Sequence, residues 1–422
     1  MLAAGCAVGL GNVWRFPFVV GQNGGAAFVL VYLVFLVLLG FPLLAAELAL
    51  GRASRRGISG AMRELAAARH RRFWSATGKV IFAGNVLLMM YYTDVAGWLV
   101  RASVDCVRGD VAGISFASLA GDRVSSVAYL AAAVAAAAGI CMAGVRNGVE
   151  RVAKAMMIAL LALLAVLAVK ALMLPEAAKG LRFYLAPDWA KFFAHPWRAV
   201  FDAMGQAFFT LSVGVGCMTI FGSYIDRGHS LAAESVLIIA IDTFVALLAG
   251  LVVFPACASF GVDVTSGPGL IFDALPKVFA HMPGGRVWGF VFFLFLSLAA
   301  LTTIVAVFEC IIGGLMDETG ASRAKISLAT GIGVAVLSLP TALFSNVLGW
   351  EDFVFGQFWL PIGALFICVF ATSGAGWGAE SFEREVSAGA GMKFPHAFTM
   401  LMKAFVPLLI VMVIVVGLLQ RT

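Results

Sequence analysis

Eleven apolar runs dominate this chain, near residues 1–18, 26–49, 74–104, 124–145, 151–174, 199–224, 231–260, 287–316, 325–344, 354–376 and 398–419. About 20 apolar residues in a helix cross the hydrocarbon core of a bilayer. Lipid offers no partner for a backbone N–H or C=O, so such runs fold as helices that satisfy their own backbone. The run at 124–145 is Ala-rich and the least apolar. Several runs exceed one span, which predicts tilted or broken helices. The reading is an all-α integral membrane protein of about 11 transmembrane helices, forming a single transporter domain over 1–422. Composition agrees: 62% of residues are hydrophobic and 12% charged. A soluble surface needs about twice that charge. A soluble enzyme, a disordered chain and a nucleic-acid binder are thereby excluded. HExxH, GxSxG and paired catalytic Asp motifs are absent from the sequence, and the chain is read as no enzyme.

Basic residues cluster in three short loops. Arg52, Arg55, Arg56, Arg63, Arg69, Arg71 and Arg72 follow segment 2. Arg146, Arg151 and Lys154 follow segment 4, and Arg323 and Lys325 follow segment 8. All three loops fall on one side, the cytoplasmic one by the Lys/Arg rule, if the N-terminus is cytoplasmic. Arg421 and Thr422 then lie outside. The net charge of +6 serves orientation in this reading, with no nucleic-acid partner. The connections 175–198 and 261–286 are rich in Pro, Trp and Phe and predict packed loops or short interfacial helices. The seven cysteines show no CxxC spacing and read as small buried hydrophobes, without a disulfide framework or cysteine metal site. The first run lacks a basic leader and is not read as a signal peptide.

Two runs carry glycine pairs at their middles. Segment 1 reads Gly5-Cys6-Ala7-Val8-Gly9-Leu10-Gly11-Asn12, and segment 6 reads Thr210-Leu211-Ser212-Val213-Gly214-Val215-Gly216. Each glycine weakens a helix by about 1 kcal/mol relative to alanine. Close helix packing through small residues explains a single pair equally well. Two breaks 205 residues apart, each opening a block of five segments, instead predict an inverted 5+5 repeat with broken helices 1 and 6 and a site at the midplane. The expected repeats are about 1–174 and 199–376, with an extra helix at about 398–419. Half-helix N-termini suit a carboxylate, and unwound carbonyls suit a hard cation.

The residues Gly9-Leu10-Gly11-Asn12-Val13-Trp14-Arg15-Phe16-Pro17, Asn23-Gly24-Gly25-Ala26-Ala27-Phe28 and Gly205-Gln206-Ala207-Phe208-Phe209-Thr210-Leu211-Ser212 resemble helices 1, 2 and 6 of the neurotransmitter:sodium symporter family. The chain is similar to bacterial members such as the leucine transporter. The resemblance implies Na⁺-coupled uptake of amino acids by alternating access, with two Na⁺ as co-transported ions. Sodium site one would comprise Ala7, Asn12, Thr210 and Asp242. Sodium site two would comprise carbonyls of Gly5, Val8 and Ala299 with hydroxyls of Thr302 and Thr303. The substrate carboxylate would meet Gly9, Leu10, Gly11 and Tyr92, and its amine the carbonyls near Ala7, Phe209 and Thr210. Leu88, Tyr92, Phe209, Ser212, Val215, Thr303 and Val307 would hold its side chain. The outer gate would be Arg15 with Asp352 under a Phe209 lid, and Asp317 the acid of the inner gate.

Three departures from the family pattern carry expectations. The sequence as given begins at the middle of helix 1, where the family's basic N-terminal latch for Asp317 would precede it, so either the start is misassigned or the inner gate is weakened. Asp242 stands where relatives carry Asn, beside Tyr32, Gln206 and Thr210, and Ala246 stands where chloride-dependent members carry Ser. A fixed carboxylate can replace the mobile anion, so transport is expected to be chloride-independent. Eleven segments in place of twelve suggest a bacterial cytoplasmic membrane. Gly9 in place of the Asp of amine transporters implies a substrate with its own carboxylate. Val215, where smaller pockets carry Phe, implies a hydrophobic or aromatic side chain of Leu size or larger. The competing reading is a transport-incompetent amino-acid sensor or a truncated, inactive relative.

Overall fold

Each apolar run is helical in the computed structural model, which describes residues 5, 7–264, 270–344 and 346–419. Cys6, Arg421 and Thr422 lie outside the described residues. Among the described residues eight helices are long and apolar enough to span a membrane: Ala26–Ser54, Ala68–Arg108, Arg123–Met142, Gly148–Leu172, Leu231–Phe260, Gly285–Thr319, Arg323–Leu343 and Val347–Thr372. The pair His396–Lys403 and Phe405–Val416, bent by 45°, supplies a ninth. The broken segments 1 and 6 account for the other two of eleven. Rows such as Leu30, Val34 and Val37 are about half exposed on the outside of the bundle, as a lipid-facing stripe requires. The connection 175–198 forms two short helices, Ala177–Leu185 and Trp189–Ala194.

Two boundaries differ from the sequence reading. Segment 10 begins at Val347, because Val347–Val354 is already helical, so Asp352 sits on a helix and not in a preceding loop. Arg52 belongs to the helix Phe41–Ser54 and is buried, where it pairs with Glu385 at 2.7 Å and donates to the His229 carbonyl. It is therefore a structural clamp as well as one of the basic residues near the loop.

Proline shapes the helices that reach the middle of the bundle. Pro17, Pro42 and Pro361 each follow a turn widened by one residue. Phe16 N–H bonds to the Gly11 carbonyl, Phe41 N–H to that of Leu36, and Leu360 N–H to that of Phe355. Proline has no N–H and its ring collides with the carbonyl four residues back. A five-residue turn relieves that collision.

The helices sort into two bodies. Segments 1, 2, 6 and 7 pack on one another, as do segments 3, 4, 8 and 9, while segment 5 touches segments 7 and 8. The two breaks lie on the seam between these bodies.

Candidate functional site

Segment 6 leaves its helix at Thr210 and resumes it at Cys217. Ser212, Gly214 and Gly216 take positive φ of 52°, 100° and 68°. Gly214 also has no room for a side chain, because a Cβ would meet the Leu360 carbonyl of segment 10. The freed backbone is satisfied by two buried side chains. Glu47 of segment 2 accepts from Gly214 N–H at 2.7 Å and Met218 N–H at 3.1 Å. Asn85 of segment 3 donates to the Val215 carbonyl at 2.8 Å. Neither was singled out from sequence, although a carboxyl inside an apolar run is costly and marks a role.

Segment 1 breaks at Val8 and Gly9. Gly9 N–H donates to Asn12 Oδ1 at 3.0 Å, and Leu10 N–H donates to the Tyr92 hydroxyl at 3.1 Å. A Cβ on Gly9 would run into the Thr303 hydroxyl and approach the Tyr92 hydroxyl to 3.0 Å. Close contact with segments 3 and 8 at once is what demands glycine here. Gln206 Nε2 donates to the Gly11 carbonyl at 3.0 Å and ties the two broken helices together.

The breaks face a narrow cavity lined by Ala7, Gly9, Gly11, Leu88, Tyr92, Phe209, Ser212, Thr303, Phe355 and Leu360. Eight of these are positions predicted for substrate. Phe355 and Leu360 of segment 10 were not foreseen. Leu10 lines the vestibule above instead. Val215 and Val307 are fully buried and are not on the cavity wall. Val215 and the Trp359 ring both lie against Gly84.

Two oxygen clusters flank the cavity. Asp242 accepts from Asn12 Nδ2 at 2.7 Å and from the Thr210 hydroxyl at 2.9 Å, while its carbonyl accepts from Asn12 Nδ2 at 3.0 Å. Tyr32 is fully buried within electrostatic reach of Asp242. Ala246 follows Asp242 by one helical turn. In the second cluster, the Thr302 hydroxyl donates to the Ala299 carbonyl at 2.8 Å and lies 3.4 Å from that of Val8, and Thr303 reaches Ala299 at 3.4 Å. Gly5 is packed against Ala153 and Met157 of segment 5. Carbonyls and hydroxyls of this kind are the donors a hard monovalent cation takes. Clusters of three or more His, Cys, Asp or Glu that could hold a metal are absent among the described residues.

A second, wider space lies over the cavity, lined by Trp14, Arg15, Tyr91, Leu348 and Asp352 among others. Phe209 and Tyr92 line both spaces and separate them. The expected pair of Arg15 with Asp352 is not closed among the described residues. Arg15 sits 4.4 Å over the Phe209 ring centre, a cation–π contact, and Asp352 accepts from the Tyr91 hydroxyl at 3.2 Å. On the opposite, Arg-rich face, Asp317 accepts from Gly57 N–H at 2.8 Å, and Glu318 binds Ser59 and Arg63. Nearby, Glu309 takes both arms of Arg323 at 2.7 and 2.9 Å and the Tyr224 hydroxyl at 2.7 Å. Asp317 is therefore engaged at that face by a backbone amide.

The profile of the sodium:neurotransmitter symporter family matches residues 1–112 and 119–422. The chain belongs to this family. It is 32% identical to the uncharacterized sodium-dependent transporter YhdH of Bacillus subtilis, over 98% of this chain and 94% of that protein. It is 27% identical to the sodium-dependent serotonin transporter of Drosophila melanogaster, over 92% of this chain and 70% of that one. The crystal structure of MhsT in complex with L-phenylalanine is similar, with a TM-score of 0.87 at 30% identity, covering 98% of this chain and 97% of MhsT. This family member is thus a multi-pass membrane protein of a sodium-dependent transporter family.

Proposed function

We propose that this symporter takes up hydrophobic or aromatic amino acids with Na⁺ by alternating access, without chloride. The observation that carries the reading is the cavity itself. Its wall combines the segment 1 break and the Tyr92 hydroxyl with the apolar side chains of Leu88, Phe209, Phe355 and Leu360. A carboxylate fits the first and a hydrocarbon side chain the second. The phenylalanine bound to MhsT supports this class. In this reading the N-terminus and the Arg-rich face are cytoplasmic, in a bacterial cytoplasmic membrane. Residues 1–174 and 199–376 act as the inverted repeats, with the extra helix outside them.

Sodium one takes Ala7, Asn12, Thr210 and Asp242, and sodium two takes Gly5, Val8, Ala299, Thr302 and Thr303. Phe209 closes the cavity from the vestibule, with Arg15 and Asp352 drawing together above it. Asp317 and its Gly57 contact hold the cytoplasmic side shut.

Thermal unfolding measured with each of the twenty amino acids, with and without Na⁺, tests the function. Hydrophobic amino acids are expected to raise the midpoint only in Na⁺. If none does so under any sodium condition, the reading falls, and a sensor for another ligand or an inactive relative takes its place. The carboxylate seat has its own test. With Gly9 offering no fixed anion, a decarboxylated amine is expected to bind at least about 10³-fold more weakly than its amino acid, because the seat's donors stay unpaired. Equal affinities reject it. For sodium, the double change Thr302→Ala and Thr303→Ala removes two hydroxyl ligands and is expected to raise the half-saturating Na⁺ concentration about tenfold or more. An unchanged sodium titration rejects the second site.

A further inference from the structure

The cavity has a wall that the two broken helices do not supply. It comes from segment 10, and it exists because of one widened turn. Phe355 and Leu360 are five residues apart, which in a regular helix sets them about 140° apart around the axis. In the turn Phe355–Trp359 the Leu360 N–H bonds to the Phe355 carbonyl, so the two residues stack one above the other. Both then face the cavity, at 2% and 1% exposure. Pro361 is the local cause, since its ring would strike the Gln357 carbonyl of a regular helix.

The same turn is fixed on its other sides. Gly356 lies beside the Arg15 guanidinium, where a Cβ would stand 3.5 Å away. Trp359 fills the space next to Gly84 and Val215. The Phe355 ring meets those of Phe209 and Tyr91 edge-on, each at 6.3 Å between centres. Just below, Gly363 packs directly on the Gly214 carbonyl, which locks segment 10 onto the unwound stretch of segment 6. Leu360 therefore stands on backbone packed against segments 1, 3 and 6. Leu88, the other aliphatic residue of the wall, is on segment 3 across the seam.

We propose that the widened turn of segment 10 is the size-selecting wall of the substrate cavity, with Leu360 setting the upper limit on the side chain and Phe355 the aromatic face it packs against. The proposal rests on the amino-acid reading above and names which residues decide among amino acids.

The test uses the full-length protein in proteoliposomes, with competition by L-leucine, L-phenylalanine and L-tryptophan at saturating Na⁺. Leu360→Ala is expected to shift the tryptophan-to-leucine affinity ratio toward tryptophan about tenfold or more, and Leu360→Phe to shift it about tenfold the other way. The half-saturating Na⁺ concentration is expected to stay within twofold in both, because neither residue offers an oxygen to a cation. Should Leu360→Ala fail to fold, Leu360→Val gives the same direction with a smaller shift, about threefold. Ratios that stay within twofold in every folded variant, while the unmutated protein transports one of the three, overturn the wall and leave the amino-acid reading standing. If the unmutated protein recognises no amino acid, that reading fails and the wall fails with it.

Discussion

Replacing Glu47 by alanine is expected to abolish transport and to destabilise the protein by about 2–6 kcal/mol, from two buried N–H groups left without an acceptor. Those groups belong to Gly214 and Met218, on either side of the point where segment 6 resumes its helix. In a soluble protein water would reach a frayed helix end. Here the carboxyl is fully buried, and the unwound backbone has lipid-embedded helices around it. Glu47→Gln keeps one acceptor oxygen and is expected to retain partial uptake. Uptake and thermal unfolding, measured together, separate lost folding from lost function. Uptake by Glu47→Ala above half that of the unmutated protein would contradict this role.

Asp242→Asn is expected to cripple uptake in gluconate, to below about a tenth of the unmutated rate. In the proposed stoichiometry, two Na⁺ and one zwitterion would leave a positive excess in a dry site, and unmatched charge there is expensive. Asp242 is bonded to Asn12 and Thr210, two of the residues proposed for the first sodium, so its carboxylate is the nearest fixed compensation. A second anion beside it would be repelled. Adding Ala246→Ser one turn further along places a hydroxyl toward the same region and is expected to restore uptake only when chloride is present. Uptake by the unmutated protein that collapses when gluconate replaces chloride would refute the compensation.

Much of this was readable from residue order. The apolar runs fix the spans, because hydrocarbon leaves a backbone no alternative to the helix. The Gly-x-Gly pairs locate both breaks, since glycine is the residue that tolerates positive φ and close approach. Asn12, Tyr92, Thr210 and Thr302 are polar groups stranded in apolar helices, and the structure brings each to a break or to the carbonyls beside it.

What sequence order left open depends on distance across the bundle. Whether Arg15 meets Asp352 or the Phe209 ring depends on how segments 1, 6 and 10 lean together. Val215 and Trp359, 144 positions apart in the chain, meet at Gly84. Phe355 and Leu360 read as any apolar pair until the turn before Pro361 stacks them on one face. Segment identity and the points of weakness are local properties, set by solvation and φ/ψ preference, and the sequence determined them alone. Which side chains share a cavity is a matter of packing between helices far apart in the chain, and only the tertiary structure decided it.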